Sequence, residues 1–151
     1  IIGSYKLGEN HLNSFALKQI KNFEKIGPQV KFYGFKDHNF VQKKMETASI
    51  VIIPSLWEEP FGLVVAEAMS FGTAIIASKV GGIPEIIKNN GILIENIDFL
   101  KLKVILNRLM NDPLKIKLFQ KKAWHNFILS CESSSKKLDN HRKIIFKNFF
   151  I

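Results

Sequence analysis

Along residues 1–97, short apolar runs rich in β-branched side chains alternate with longer stretches whose apolar positions recur at helical spacing. That alternation is the pattern of a parallel sheet covered by helices. Ile1-Ile2-Gly3 reads as a strand end, and His11 to Ile26 as a helix. Leu12, Phe15, Ile20 and Phe23 supply its apolar face, and Gly27-Pro28 ends it. Val30 to Tyr33 alternates and stops at Gly34, which predicts a strand and a turn, and Asn39 to Ala48 predicts a short helix. Ser49 to Ile53 is apolar almost without a break, as burial on both faces demands, and Pro54-Ser55 closes it. A loop from Leu56 to Pro60 leads into a helix from Phe61 or Gly62 to Ser70, stopped by Gly72. Thr73 to Ala77 predicts the next strand and Gly81-Gly82 a turn. Pro84 to Lys88 predicts a short helix, Asn89-Asn90-Gly91 a turn and Ile92 to Ile94 a last strand. From Asp98 the pattern is helical. Leu102, Ile105, Leu106 and Leu109 share a face, Asp112-Pro113 opens a second helix, and Ser133 to Ser135 open a third. The fold class is α/β, with a sheet-and-helix core over 1–97 and a helical tail over 98–151.

Composition narrows this little. At 151 residues with 46% apolar side chains, the chain fits a single globular core. No apolar run reaches the roughly 18 residues that span a bilayer, and no secretory signal opens the sequence. Cys131 is the only cysteine, so no internal disulfide forms, and a reducing, cytoplasmic setting is expected. His11, His38, His125 and His141 show no metal-ligand spacing, so no metal is expected.

The charge is unevenly placed. Residues 1–100 hold ten Lys and ten Asp+Glu. Residues 101–151 hold twelve Lys+Arg against three Asp+Glu, which gives the whole +9. A basic helical tail on a neutral body points either to an ordinary solvated helix face or to an anionic surface as partner, such as the inner face of a membrane. Phe119, Trp124, Phe127, Phe146, Phe149 and Phe150 lie among the tail's basic residues. Several fall at core spacing, so nucleic acid is not expected.

In an open parallel sheet, ligands bind beyond the carboxyl ends of the strands. The loop after the 49–53 strand is Pro54-Ser55-Leu56-Trp57-Glu58-Glu59-Pro60-Phe61-Gly62, and it runs into a helix carrying Glu67. A helix starting there aims the N–H groups of Gly62, Leu63 and Val64 at an anion. Glu59 and Glu67 are suited to accept hydrogen bonds from sugar hydroxyls. The alternative is that Glu59 caps the helix through its favourable position on the helix dipole and that Glu67 is an ordinary surface residue. Spacing alone does not separate Glu59 from Glu58. Trp57 either lines such a pocket or covers the helix start, and the second reading is preferred.

The run Pro54-Ser55 through Glu67-Ala68-Met69, then Gly72, Ile75-Ile76-Ala77-Ser78 and Gly81-Gly82-Ile83-Pro84-Glu85, resembles the carboxyl-terminal domain of retaining glycosyltransferases of family four. Looser similarity covers almost the whole chain. The family's pattern of two glutamates separated by seven residues selects Glu59 and Glu67 over Glu58. The resemblance implies a Rossmann-like domain that is one half of a GT-B architecture and binds a nucleoside diphosphate sugar of UDP or GDP type, with no separate cofactor. It further implies that Glu67 accepts from ribose hydroxyls and that Glu59 meets the donor sugar near the anomeric carbon as the catalytic residue. Backbone groups of Phe61, Gly62, Leu63 and Val64 would serve the sugar and diphosphate, and Gly34 and Phe35 would lie beside the base. The reaction would be transfer of a hexosyl unit, with retention, to a glycan or lipid-linked acceptor in polysaccharide biosynthesis.

Three departures qualify that expectation. The family's first strand and helix, which bring an Arg and a Lys to the diphosphate, have no counterpart ahead of Ile1, and neither does the amino-terminal acceptor domain. That absence would leave a gap in the sheet. Lys6 and Lys79 read as ordinary solvated lysines, not as replacements. Thr73 stands where the family often has proline. This polypeptide alone is therefore expected to bind donor weakly and to turn nothing over. The competing readings are a non-catalytic nucleotide-binding or membrane-docking module, and a fragment of a nucleotide-sugar epimerase.

Overall fold

The computed structural model describes residues 1–3, 14–127, 135–136 and 140. Lys6, His11, Leu12, Cys131, His141, Phe146, Phe149 and Phe150 lie outside them, as do the side chains of Phe15 and Phe23; of the helix expected from Ser133, residues 135–136 and 140 are described and are helical. The chain divides into two compact units, Ile1–Lys44 and Met45–Ile151.

In the first unit, helix α1 spans Ser14–Ile26 and ends at Gly27. Val30 to Tyr33 does not form the expected strand. It is extended chain tied to residues 1–3 by Tyr33 N–H to Ile1 O (2.8 Å) and Gly3 N–H to Gly34 O (3.0 Å), with one parallel bridge, Ile2 to Gly34. A strand is defined by its partner, and only three residues pair here. Helix α2, His38–Thr47, begins where Asp37 accepts the Phe40 N–H at 2.9 Å and runs across the division between the units. Lys44 places its ammonium 5.1 Å from the Tyr33 ring centre.

The second unit holds a three-stranded parallel sheet, β1 (Ile50–Ile53), β2 (Ala74–Ser78) and β3 (Ile92–Ile94), in that spatial order. Helix α3 (Leu63–Ser70) joins β1 to β2, and α4 (Ile83–Ile87) joins β2 to β3. The central strand β2 is buried at every position. β1 is only half-buried, against the expectation of burial on both faces, because among the described residues it pairs with β2 alone. Side chains alternate along β2. Ile76 packs with Ile94 of β3 on one face, while Ile75 and Ala77 point to the other.

Helices α5 (Phe99–Met110) and α6 (Pro113–His125) cover the Ile76 face. Leu102, Ile105, Leu106 and Leu109 from α5, and Ile116 and Phe119 from α6, close this core. Both helices start as the sequence expects: Asp98 accepts from Lys101 N–H at 2.8 Å and Asp112 from Lys115 N–H at 3.1 Å. Helix α3 stops at Gly72, where Thr73 directs its N–H (3.3 Å) and its hydroxyl (2.9 Å) onto the Ala68 carbonyl. That second bond gives Thr73 a structural role that a proline at this position lacks. No described helix is long and apolar enough to cross a membrane.

Candidate functional site

The carboxyl ends of β1, β2 and β3 open onto the loops 54–62, 79–82 and 95–97. The first loop is held by close backbone contact with the Gly81-Gly82 turn. Gly82 N–H donates to the Glu59 carbonyl at 2.8 Å. A Cβ on Gly81 would fall on the backbone of Glu59, and one on Gly82 would lie 2.5 Å from the Pro60 carbonyl oxygen. Gly81 also sits at φ +50°. The two glycines are therefore required by the loop that carries Glu59, a role their sequence reading as a simple turn misses.

The two adjacent glutamates have different jobs. Glu58 accepts the Gly81 N–H at 2.6 Å and so ties the loops together. Glu59 is half-buried, and Ser55 donates to its Oε2 at 3.4 Å. The cap position of α3 belongs to Gly62, in left-handed conformation at φ +78°, and no side chain, that of Glu59 included, makes a cap hydrogen bond there. Gly62 itself is buried, and a Cβ there would press on Ile83 at 3.1 Å. Val65 and Ala66 donate their N–H groups back to the Gly62 carbonyl. Among the described residues, the N–H groups of Gly62, Leu63 and Val64 have no acceptor within the chain. Those three donors are what a helix start offers to an anion.

Glu67 lies in the second turn of α3, half-buried, and Ser70 donates to its carbonyl at 2.7 Å. Phe61, Leu63 and Val64 expose their side chains around the helix start. Trp57, in the loop ahead of that start, is 61% exposed. Gly34, at the bridge with Ile2, and Phe35, which is exposed, belong to the first unit.

A cavity of about 460 Å³ lies at the strand ends, with Ser55, Glu58, Ser78, Lys79, Glu95 and Asn96 in its wall. Lys79 is exposed, as expected of a solvated lysine, and pairs at the surface with Glu95 at 2.5 Å. The hydrogen bond from Lys79, with its charge, holds the Glu95 carboxyl below the usual range. Ser78 is buried in β2, and its hydroxyl is without a hydrogen-bond partner among the described residues. No spacing in the sequence marks that cavity. His38 bonds Gln42 at 2.8 Å, and among the described residues no group of His, Cys, Asp and Glu forms a metal site.

Known proteins match this arrangement. The family described as glycosyl transferases group 1 matches residues 1–126. An uncharacterized glycosyltransferase of Methanocaldococcus jannaschii is 47% identical over 66 residues, covering 42% of this chain and 17% of that protein. Glycogen synthase of Mycobacterium tuberculosis is 32% identical over 108 residues, covering 70% and 26%. Among solved structures, Anabaena HepE in complex with UDP superposes with a TM-score of 0.73 at 24% identity over 95% of this chain and 39% of its own. The chain thus spans a quarter or less of the length of the first of these relatives, about a quarter of the second, and well under half of HepE. With the parallel sheet, its flanking helices and the 1–126 match together, the chain belongs to the glycosyl transferases group 1 family and carries a Rossmann-like domain of GT-B type.

Proposed function

We propose that this chain is the donor-binding domain of a retaining, family-four hexosyltransferase, and that it holds a nucleoside diphosphate sugar at the start of α3. The observation that carries the reading is the division of labour at the 54–62 loop: Glu58 is spent on the Gly81 N–H, while Glu59, which accepts from Ser55, comes three residues before the first of three helix-start N–H groups that have no acceptor among the described residues. In this reading the diphosphate takes the N–H groups of Gly62, Leu63 and Val64, where the helix dipole favours negative charge. Glu67 accepts hydrogen bonds from the ribose hydroxyls. Glu59 faces the donor sugar near the anomeric carbon. There its carboxylate stabilises the positive charge that develops as the bond to phosphate breaks.

The structure of HepE in complex with UDP-glucose favours a uridine nucleotide over a guanosine one. The acceptor, a glycan or a lipid-linked sugar, would be met by parts of the whole protein beyond this domain. NMR titration of ¹⁵N-labelled chain with UDP tests the assignment. The amides of Gly62, Leu63 and Val64 should shift in a saturable way, and those of α5 should not. Shifts confined to other loops would refute it.

A further inference from the structure

The outer side of α6 carries chemistry that the donor site does not use. At 3.6 residues per turn, Ile116, Phe119 and Ala123 fall together on one side of the helix, and these are the positions turned to the core. Leu114 and Leu118, one turn apart, fall on the opposite side with His125. They are 76% and 50% exposed. A lone exposed leucine needs no explanation. This pair, however, is flanked by Lys117 and Lys121 on one side and by Lys115 and Lys122 on the other. Among the described residues, none of those four lysines pairs with a carboxylate.

The preceding helix has the same character. Phe99, Leu100 and Met110 are exposed on α5 beside Lys101, Lys103 and Arg108, and the Lys103 ammonium lies 5.9 Å from the Phe99 ring centre. From Phe99 to His125 the chain holds seven Lys+Arg and one acidic residue, Asp112, whose carboxylate accepts the Lys115 N–H. Helix α6 is thus apolar on two opposed stripes separated by cations. Packing against the sheet accounts for only one of them.

We propose that the outer face of α6 docks on an anionic lipid bilayer, with the Leu114–Leu118 stripe entering the headgroup boundary and the flanking lysines meeting lipid phosphates. A helix lying in the interface needs this combination of an apolar stripe and bordering cations. Each lysine near an anionic surface strengthens binding roughly fivefold. A soluble polyanion would satisfy the lysines and leave both leucines in water, so the leucines select lipid. The inference does not depend on the donor site.

The test is co-sedimentation of the 151-residue chain with phosphatidylcholine vesicles, with and without phosphatidylglycerol, at low and at physiological salt. Binding should appear only with phosphatidylglycerol and weaken with salt. The double variant Lys117→Glu/Lys121→Glu should lose at least about tenfold in affinity. Leu114→Ser/Leu118→Ser should lose several-fold on vesicles while keeping its binding to heparin. All four positions face solvent, and melting curves of both variants should match the parent. Absence of sedimentation overturns the proposal, as does binding that neither double variant changes. Equal binding of the serine variant and the parent to vesicles also overturns it, and points to a soluble polyanion instead.

Discussion

At the residue scale, Glu58 and Glu59 are chemically identical neighbours, and the sequence separates them only by a resemblance in spacing. The structure separates them by hydrogen bonds. Glu58→Ala removes the acceptor of the Gly81 N–H and should cost about 1–2 kcal/mol of stability, read by denaturant melting, whereas Glu58→Gln should keep most of it. Glu59→Gln should leave the melting curve nearly unchanged. In the whole protein it should instead lower sugar transfer by about a hundredfold or more. Destabilisation by Glu59→Gln as large as that by Glu58→Ala would contradict this division. Gly81→Ala combines a positive φ with a Cβ placed on the Glu59 backbone, so it should destabilise the chain by about 3 kcal/mol. The importance of that glycine was not legible, because the sequence cannot say which distant backbone a turn will touch. The buried Ser78 hydroxyl was illegible for the same reason.

At the element scale, caps and apolar periods were read well wherever the signal is local. Ile92 to Ile94 is β3 as expected, Asp112 caps α6 as expected, and α5 begins at Asp98, where a helical pattern was expected, with that residue as its cap. Expectation failed where an element depends on a partner. Val30 to Tyr33 has the alternation of a strand but only residues 1–3 to pair with, and β1 has an apolar run yet only one described neighbour. The caps make two expectations. Asp112→Ala should cost about 1 kcal/mol. Asp98 is held below the usual carboxylate range, first by the backbone N–H of Lys101 and also by that residue's charge. A carboxyl with a lowered folded pKa contributes fully above its unfolded value and loses that contribution as pH falls through the folded one. Amide protection at the start of α5 should therefore hold at neutral pH and decline only below about pH 4. Asp98→Asn, which still caps, should remove that acid dependence. Protection that falls instead between neutral pH and pH 5 would contradict the assignment.

At the scale of the whole molecule, the sheet order, its covering helices and the family match agree on a GT-B domain. The charge asymmetry was also legible, since twelve of the basic residues follow position 100. Which side of α6 they flank was not, because that depends on which stripe the sheet takes. In the proposed reading the start of α3 is a nucleotide diphosphate site completed by Glu67. Calorimetric titration of the chain with UDP and GDP, beside Glu67→Ala, is the decisive measurement. The expected result is selective binding of UDP, as weak as millimolar or about −4 kcal/mol, reduced roughly tenfold or more by the substitution. Binding of UDP by a folded Glu67→Ala variant as tight as by the parent would contradict it.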